Sequence, residues 1–345
     1  MIPIQNIYYM LSYAFQVLNE QGYKNIATEQ FHNTGELMAA ILEKGIAIQL
    51  KRGLGKEYIP QTEALSSLRG KIDIAESIKT QSMLRKQLIC TYDEFSVNSI
   101  MNQIIKSTVE LLLRSNISKQ RKKNLRKLMV YFSEVDFIDL YTVNWNVQYN
   151  RNNQTYRMLI SICYLVVKGL LQTQSNGHTK LMDFLDEQRM CRLYEKFILE
   201  YYRKEFKNQI TANASQIPWQ LDNEENSMLP VMQSDIMLQS GEKVLIIDAK
   251  YYEHSTQVQF DKHTLHSGNL YQIFTYVKNK EYELREKDHT VSGMLLYAKT
   301  DEEIYPNNVY QMSGNQIAVR TLDLNLPFDE IASQLNTIAK THFDL

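Results

Sequence analysis

The stretch that most restricts this chain is Gln233–Tyr252, which reads QSDIMLQSGEKVLIIDAKYY. It has the form of a two-stranded hairpin. Ile236 and Leu238 alternate with more polar neighbours, and Ser240-Gly241 supplies a turn. Val244–Ile247 is a β-branched and aliphatic run of the kind a buried strand requires. Pairing across that turn brings Asp235 beside Asp248. Strand side chains alternate, so Asp248 and Lys250 point to the same face. Two carboxylates and an ammonium therefore converge at the end of an apolar strand.

Charges at a half-buried strand end are costly unless they meet partners or a metal. Two carboxylates offer the hard oxygen donors that Mg2+ takes alongside substrate phosphate oxygens. Such a metal lowers the pKa of a bound water and stabilises charge on a phosphate under attack. Lys250 can orient that water or stabilise the developing negative charge. The spacing D…DxK resembles the PD-(D/E)xK nuclease superfamily. A second acid-x-Lys set, Glu205-Phe206-Lys207, lies in a charged helical segment with no strand before it and is set aside. The plain alternative at Asp248 is a strand-end Asp–Lys ion pair.

Two flanking helices favour the functional reading. Downstream, Gly268–Asn279 carries an apolar stripe of Leu270, Ile273, Phe274 and Val277. Gln272 and Tyr276 share another face of it. A Q-x-x-x-Y after a D-x-K strand resembles the RecB-like branch of the superfamily, where the Gln and Tyr lie beside the metal site and the DNA backbone. Upstream, Met190–Lys207 is strongly helical and offers Glu195, Glu200 and Glu205. Glu200 has Lys196, Arg203 and Lys204 as helical neighbours, a solvated ion-pair setting. Glu195 has Cys191, Ile198 and Leu199 instead, which places it near the apolar face. Glu195 is therefore the candidate helix acid at the metal.

A chain of 345 residues suggests two domains. The boundary is placed in the polar, Asn-rich segment Val143–Gln154, giving domains 1–150 and 151–345. The net charge is −1. A chain that grips DNA alone by phosphate neutralisation is usually basic, so either its DNA surface is small or a partner does most of the gripping. Cys90, Cys163 and Cys191 have neither zinc spacing nor a disulfide framework, as in a reducing cytoplasm. The opening MIPIQNIYYMLSYAF lacks the features of a secretion signal, and no run approaches transmembrane length. Gly53-Leu54-Gly55-Lys56 lacks the P-loop spacing, so no nucleotide site is expected on this chain. His254, His263 and His266 fall in a loop-like segment without a completing ligand set and are read as hydrogen-bonding residues.

Helices are expected from Pro3 to Leu18, Thr34 to Lys51, Asn98 to Arg114, Tyr156 to Leu171 and from Phe328. Strands are expected at Gly70–Ile74, Ile89–Phe95 and Gln316–Leu322. The most basic run, Ser118–Lys127, is read as a solvated helical face rather than a nucleic-acid patch. The fold class is α+β or α/β: a mixed α/β N-terminal domain, then a restriction-endonuclease-like domain with a mixed sheet flanked by helices.

Over its whole length the chain resembles the McrC family, the nuclease subunits of McrBC modification-dependent restriction systems. The resemblance is carried by Ile4–Ala14, Arg52-Gly53-Leu54, Leu68–Ile72 and Asn102–Thr108. It continues through Asp235, Asp248–Tyr252 and Asn269–Gln272. It implies a Mg2+-dependent endonuclease acting on methylated double-stranded DNA. The implied partner is McrB, a hexameric AAA+ GTPase that binds the GTP and recognises methylated cytosine. The N-terminal domain would dock on that ring and stimulate hydrolysis, with Arg52 and Arg69 as candidates. Asp235, Asp248 and Glu195 would hold metal, while Lys250 and Gln272 complete the catalytic set. Two alternatives remain: a stand-alone RecB-like nuclease, and a non-catalytic activator of the GTPase.

Overall fold

The computed structural model describes residues 2–15, 18, 23, 26, 29, 31, 33–150, 153, 155–175, 187–222, 228–252, 257–259, 262–299 and 305–345. Its contacts divide the chain into one unit of Met1–Glu29 with Leu185–Leu345, and a second of Gln30–Phe184. This differs from a division at residue 150, and particular residues account for it. The first helix, α1 (Ile4–Ala14), packs with the C-terminal part of the chain. Asn6 Nδ2 donates to Leu324 O (2.7 Å) and Leu326 O (2.8 Å), and the Tyr13 ring lies against Phe197, Tyr201 and Phe328.

The unit Gln30–Phe184 begins with α2 (Thr34–Arg52). Asn33 caps its start by accepting from Glu36 N at 2.8 Å, and Gly53 at φ 89° ends it. Strands β1 (Glu57–Leu65), β2 (Lys71–Asp73) and β3 (Leu88–Ser96) form an antiparallel sheet in the order β1-β3-β2, with a short helix α3 (Ile74–Lys79) after β2. Gly70, at φ 68°, comes so near β3 that a Cβ there would lie 2.3 Å from Thr91 O. Helices α4 (Ile100–Arg114), α5 (Lys119–Met129) and α6 (Tyr156–Ser175) complete the unit. Its buried polar hub is Tyr156, whose hydroxyl accepts from Gly55 N (2.6 Å) and donates to Asn102 Oδ1 (2.8 Å). Asn102 Nδ2 in turn donates to Gly55 O (2.9 Å) and Val97 O (2.8 Å). That hub, with the packing of α6 on α2 and α4, places α6 in this unit and not with the residues that follow it.

The other unit continues with α7 (Glu187–Glu205), β4 (Thr211–Asn213), β5 (Gln216–Ile217), β6 (Met232–Gln233), β7 (Ile236–Ser240) and β8 (Lys243–Lys250). Then come the short pair β9 (Gln257–Gln259) and β10 (Lys262–Thr264), α8 (Ser267–Glu283), β11 (Thr290–Ala298), β12 (Asn308–Met312), β13 (Asn315–Leu322) and α9 (Phe328–Phe343). The main sheet is mixed, in the order β12-β13-β11-β8-β7-β4, with β8, β11 and β13 parallel. Helices flank it, so the chain is a mixed α/β protein. The turn between β7 and β8 is Gly241-Glu242, since Ser240 pairs with Lys243; the expected Ser240-Gly241 is one residue early. Gly241 takes φ 56°, the left-handed value favoured at the first central position of a two-residue hairpin. β8 is buried on both faces as a central strand, which its unbroken apolar run requires. Helix α8 lies close on β11 because Gly293 has no side chain: a Cβ there would meet Ile273, Val277 and Ile317 within 2.9 Å. No described helix is long and apolar enough to cross a membrane.

Candidate active site at the end of the central strand

Asp235 stands just before β7, and the pairing of Ile236 with Ile247 carries it opposite Asp248. Its approach is fixed from behind. β5 pairs with β6, and the Ser234 hydroxyl exchanges hydrogen bonds with the Ser215 backbone. Asp235 Oδ2 accepts from Ala249 N at 2.9 Å, so the side chain replaces the ladder bond lost where β7 begins. Asp248 is buried, at 1% exposure. Its Oδ2 lies 2.8 Å from Lys250 Nζ in a buried ion pair.

Lys250 Nζ also donates to Gln272 Oε1 (3.2 Å), and Gln272 Nε2 donates to the Tyr276 hydroxyl (3.0 Å). Thus Asp235, Asp248 and Lys250 come together as the hairpin spacing suggested, and Gln272 stands beside them as the resemblance implied. Glu195 accepts from Cys191 Sγ at 3.1 Å. It also acts electrostatically on the same group. Burial raises the Glu195 carboxyl, with Cys191 and Lys250 opposing and Asp248 adding to the rise. Asp235 is raised further, by burial first and then by the charges of Asp248 and Glu195. Burial alone would lower Lys250, but the neighbouring Asp248 and Asp235 carboxylates more than offset it and hold the ammonium above its ordinary value.

Sequence reading did not single out a second network beside this one. Tyr252 hydroxyl donates to Asn269 Oδ1 (3.3 Å), and Asn269 Nδ2 donates to the Tyr297 hydroxyl (2.9 Å). It ties the end of β8, the start of α8 and the end of β11 together. Isolated polar residues in separate elements carry no local pattern that reveals such a link. His254 lies outside the described residues, as does the His263 side chain; the His266 ring sits 5.4 Å from Tyr252.

Among the described residues no three His, Cys, Asp or Glu side chains gather closely enough to hold a metal ion by themselves. The donor chemistry nevertheless fits a hard divalent cation. Two buried carboxylates, Asp235 and Asp248, act on one ammonium, and Glu195 adds negative charge nearby, so the site holds more acid than Lys250 balances. Mg2+ commonly takes only one or two protein carboxylates and keeps water or phosphate oxygens elsewhere.

The family model for McrBC 5-methylcytosine restriction system components matches residues 5–298. The chain belongs to this family. The matched span contains all five candidate residues of the McrBC-family chain. A curated relative is the Type IV methyl-directed restriction enzyme EcoKMcrBC of Escherichia coli (strain K12). It is 29% identical over 340 residues, covering 97% of this chain and 96% of the relative. Two solved structures are also similar. One is a refined half-complex from the tetradecameric assembly of Thermococcus gammatolerans McrB AAA+ hexamers with bound McrC. It has a TM-score of 0.48 at 18% identity and covers 97% of this chain and 76% of that one. The other is the Thermococcus gammatolerans McrBC complex, with a TM-score of 0.41 at 20% identity and 59% of each chain covered.

Proposed function

We propose that this McrBC-family chain is the Mg2+-dependent DNA endonuclease subunit of a GTP-driven, modified-cytosine-dependent restriction complex, of the PD-(D/E)xK type. It works with a McrB-like AAA+ GTPase hexamer, which binds the GTP, and stimulates that partner's hydrolysis. The observation that carries the reading is the joined set Asp235, Asp248, Lys250 and Gln272 at one strand end. An ion pair with only a structural role has no need of a second buried carboxylate beside it, because that carboxylate raises the cost of burial.

In this reading Asp235 and Asp248 hold the metal, with Glu195 close enough to act on it electrostatically. When bound, Mg2+ supplies an acidic water and charge stabilisation at the phosphate. Lys250 presents its ammonium to the attacking water or the phosphate oxygens. Gln272 fixes Lys250 through its carbonyl, and the Tyr276 hydroxyl fixes the Gln272 amide. The bond from Ala249 N keeps Asp235 facing Asp248. Partner docking belongs to the unit Gln30–Phe184. Its small sheet, α3 and the short segments beside them expose Tyr58, Leu68, Ile74, Ile78, Leu84 and Phe95, an apolar set that suits a protein interface.

The test is cleavage of methylated and unmethylated plasmid with Mg2+ and GTP, using the chain alone, the chain with its GTPase, and Asp248→Ala with the GTPase. Cutting of methylated DNA only, with the partner only, and lost in the variant is the expected result. If Asp248→Ala cuts as well as the wild type, the site assignment is wrong. Cutting by the chain alone would point to a stand-alone RecB-like nuclease. Stimulated GTP hydrolysis with no cutting in any sample would leave a non-catalytic activator.

A further inference from the structure

We infer that the outward face of α5 is a binding surface for the DNA phosphate backbone, separate from the Asp235–Asp248 centre. The inference rests on reading the chain as one that acts on DNA, and adds where the unit Gln30–Phe184 would hold it. The helix reads KQRKKNLRKLM, with cations at Lys119, Arg121, Lys122, Lys123, Arg126 and Lys127 and no acid. Its inner side is fully occupied. Leu125 is buried, Arg121 pairs with Glu36 (3.4 Å) and Glu43 (2.9 Å), and Asn124 donates to Glu43 (2.9 Å).

The other five cations have no such use. At helical spacing they share an arc of about 140° centred opposite the Leu125 and Arg121 side. None of the five has an ion-pair partner among the described residues. Their arrangement works against the helix. Lys119 with Lys123, Lys123 with Lys127, and Lys122 with Arg126 are like-charge pairs one turn apart, which repel. Lys119 also stands in the first turn, where the helix dipole disfavours a cation. A face that is merely solvated carries acids among its bases, as Glu76 does beside Lys79 and Glu110 beside Arg114 in the same unit. An acid-free row suits a polyanion that removes the repulsion on binding. Lys119, Lys123 and Lys127 follow one another at about 6 Å along the axis, so successive cations can meet successive phosphates. With a net charge of only −1 over 345 residues, this positive field is local rather than a property of the whole chain.

The experiment measures binding of the full chain to a fluorescent DNA duplex in EDTA, by anisotropy, across a range of salt. It compares wild type with the triple variant Lys119→Gln/Lys123→Gln/Lys127→Gln and with the corresponding Lys→Arg triple. Each lost phosphate contact removes about 0.9 from the slope of log affinity on log salt. The Gln triple should therefore lose about 2–3 from that slope, with roughly 10- to 100-fold weaker binding at low salt, while the Arg triple keeps both. The Gln triple should melt no lower than wild type, because repulsion is relieved. Unchanged affinity and slope in the Gln triple overturn the inference, as does absence of DNA binding by the wild type. Unchanged DNA binding with lost stimulation of the GTPase also overturns it, because the face would then meet a protein. Plasmid cleavage scores the nuclease reading separately. A salt-slope loss in a chain whose complex never cuts keeps the surface and removes the nuclease.

Discussion

The charge balance at the strand end makes a prediction that needs no cleavage assay. Asp235 and Asp248 face one ammonium, and Glu195 adds a further negative charge that Arg192 offsets only in part. Without a metal the folded chain therefore favours the protonated form of Asp235. An acid whose folded pKa is raised takes up a proton on folding. Its effect on stability is thus absent below the unfolded value near pH 4, and stability is lost progressively as pH rises towards the folded value. Asp235→Asn removes the charge, and the new side-chain oxygen can still accept from Ala249 N. Two like charges about 4 Å apart repel by about 4 kcal/mol at an effective dielectric of about 20. Lys250 cancels part of that. The metal-free variant should be more stable than wild type by about 1–3 kcal/mol at about pH 8, the difference shrinking towards zero near pH 4. Urea unfolding in EDTA across that range reads it directly. Adding Mg2+ should raise the wild-type transition more than that of the variant, since only a ligand that binds the folded form stabilises it. A variant less stable than wild type at pH 8, or a difference independent of pH, would refute the reasoning.

Further substitutions probe the supports of the site and of the other unit. Gln272→Ala removes an acceptor from the Lys250 ammonium and should cut kcat of the assembled complex about 10- to 100-fold, from a charged hydrogen bond of about 1.5–3 kcal/mol. Stimulation of the GTPase should be unchanged. Gly293→Ala forces a methyl against Ile273 and Val277 at 2.8 Å. It should cost about 1–3 kcal/mol by overpacking, and lower cleavage with it, because it moves the helix that carries Gln272. Tyr156→Phe leaves the Gly55 N–H and Asn102 Oδ1 without their partner and should cost about 2–4 kcal/mol in chemical denaturation.

The central hairpin was legible because three local signals agree over Gln233–Tyr252: an apolar start to β7, whose Ile236, Met237 and Leu238 are all buried where alternation was expected, an unbroken apolar run in β8, and a glycine at the turn. A two-residue connection then leaves one register, and that register alone carries Asp235 opposite Asp248. β1 escaped the same reading. None of its residues is fully buried, so there is no clear apolar face to detect, and Pro60 sits within it. Its place at the sheet edge tolerates that proline. β11 was missed because Ser292 and Gly293 together break its apolar run. The division of the chain was hidden for a different reason. Asn6 reaches across 318 positions to Leu324 O, and nothing local to either residue reports a contact of that range.

These misses bear on how the site is assembled. Residue order alone puts Asp248 and Lys250 on one face, but it says nothing of whether Gln272 can reach them. That depends on the height of α8 above the sheet, which the absent side chain of Gly293 sets from β11. It depends also on the rotation of α8, which Asn269 holds by bonding Tyr252 and Tyr297 at the ends of two neighbouring strands. The charged residues that announce a chemistry are thus readable one strand at a time. The glycine and the buried amide that bring Gln272 to 3.2 Å of Lys250 become readable only once the sheet order is known. Substitution at Gly293 should therefore lower cleavage although that residue carries no reactive group.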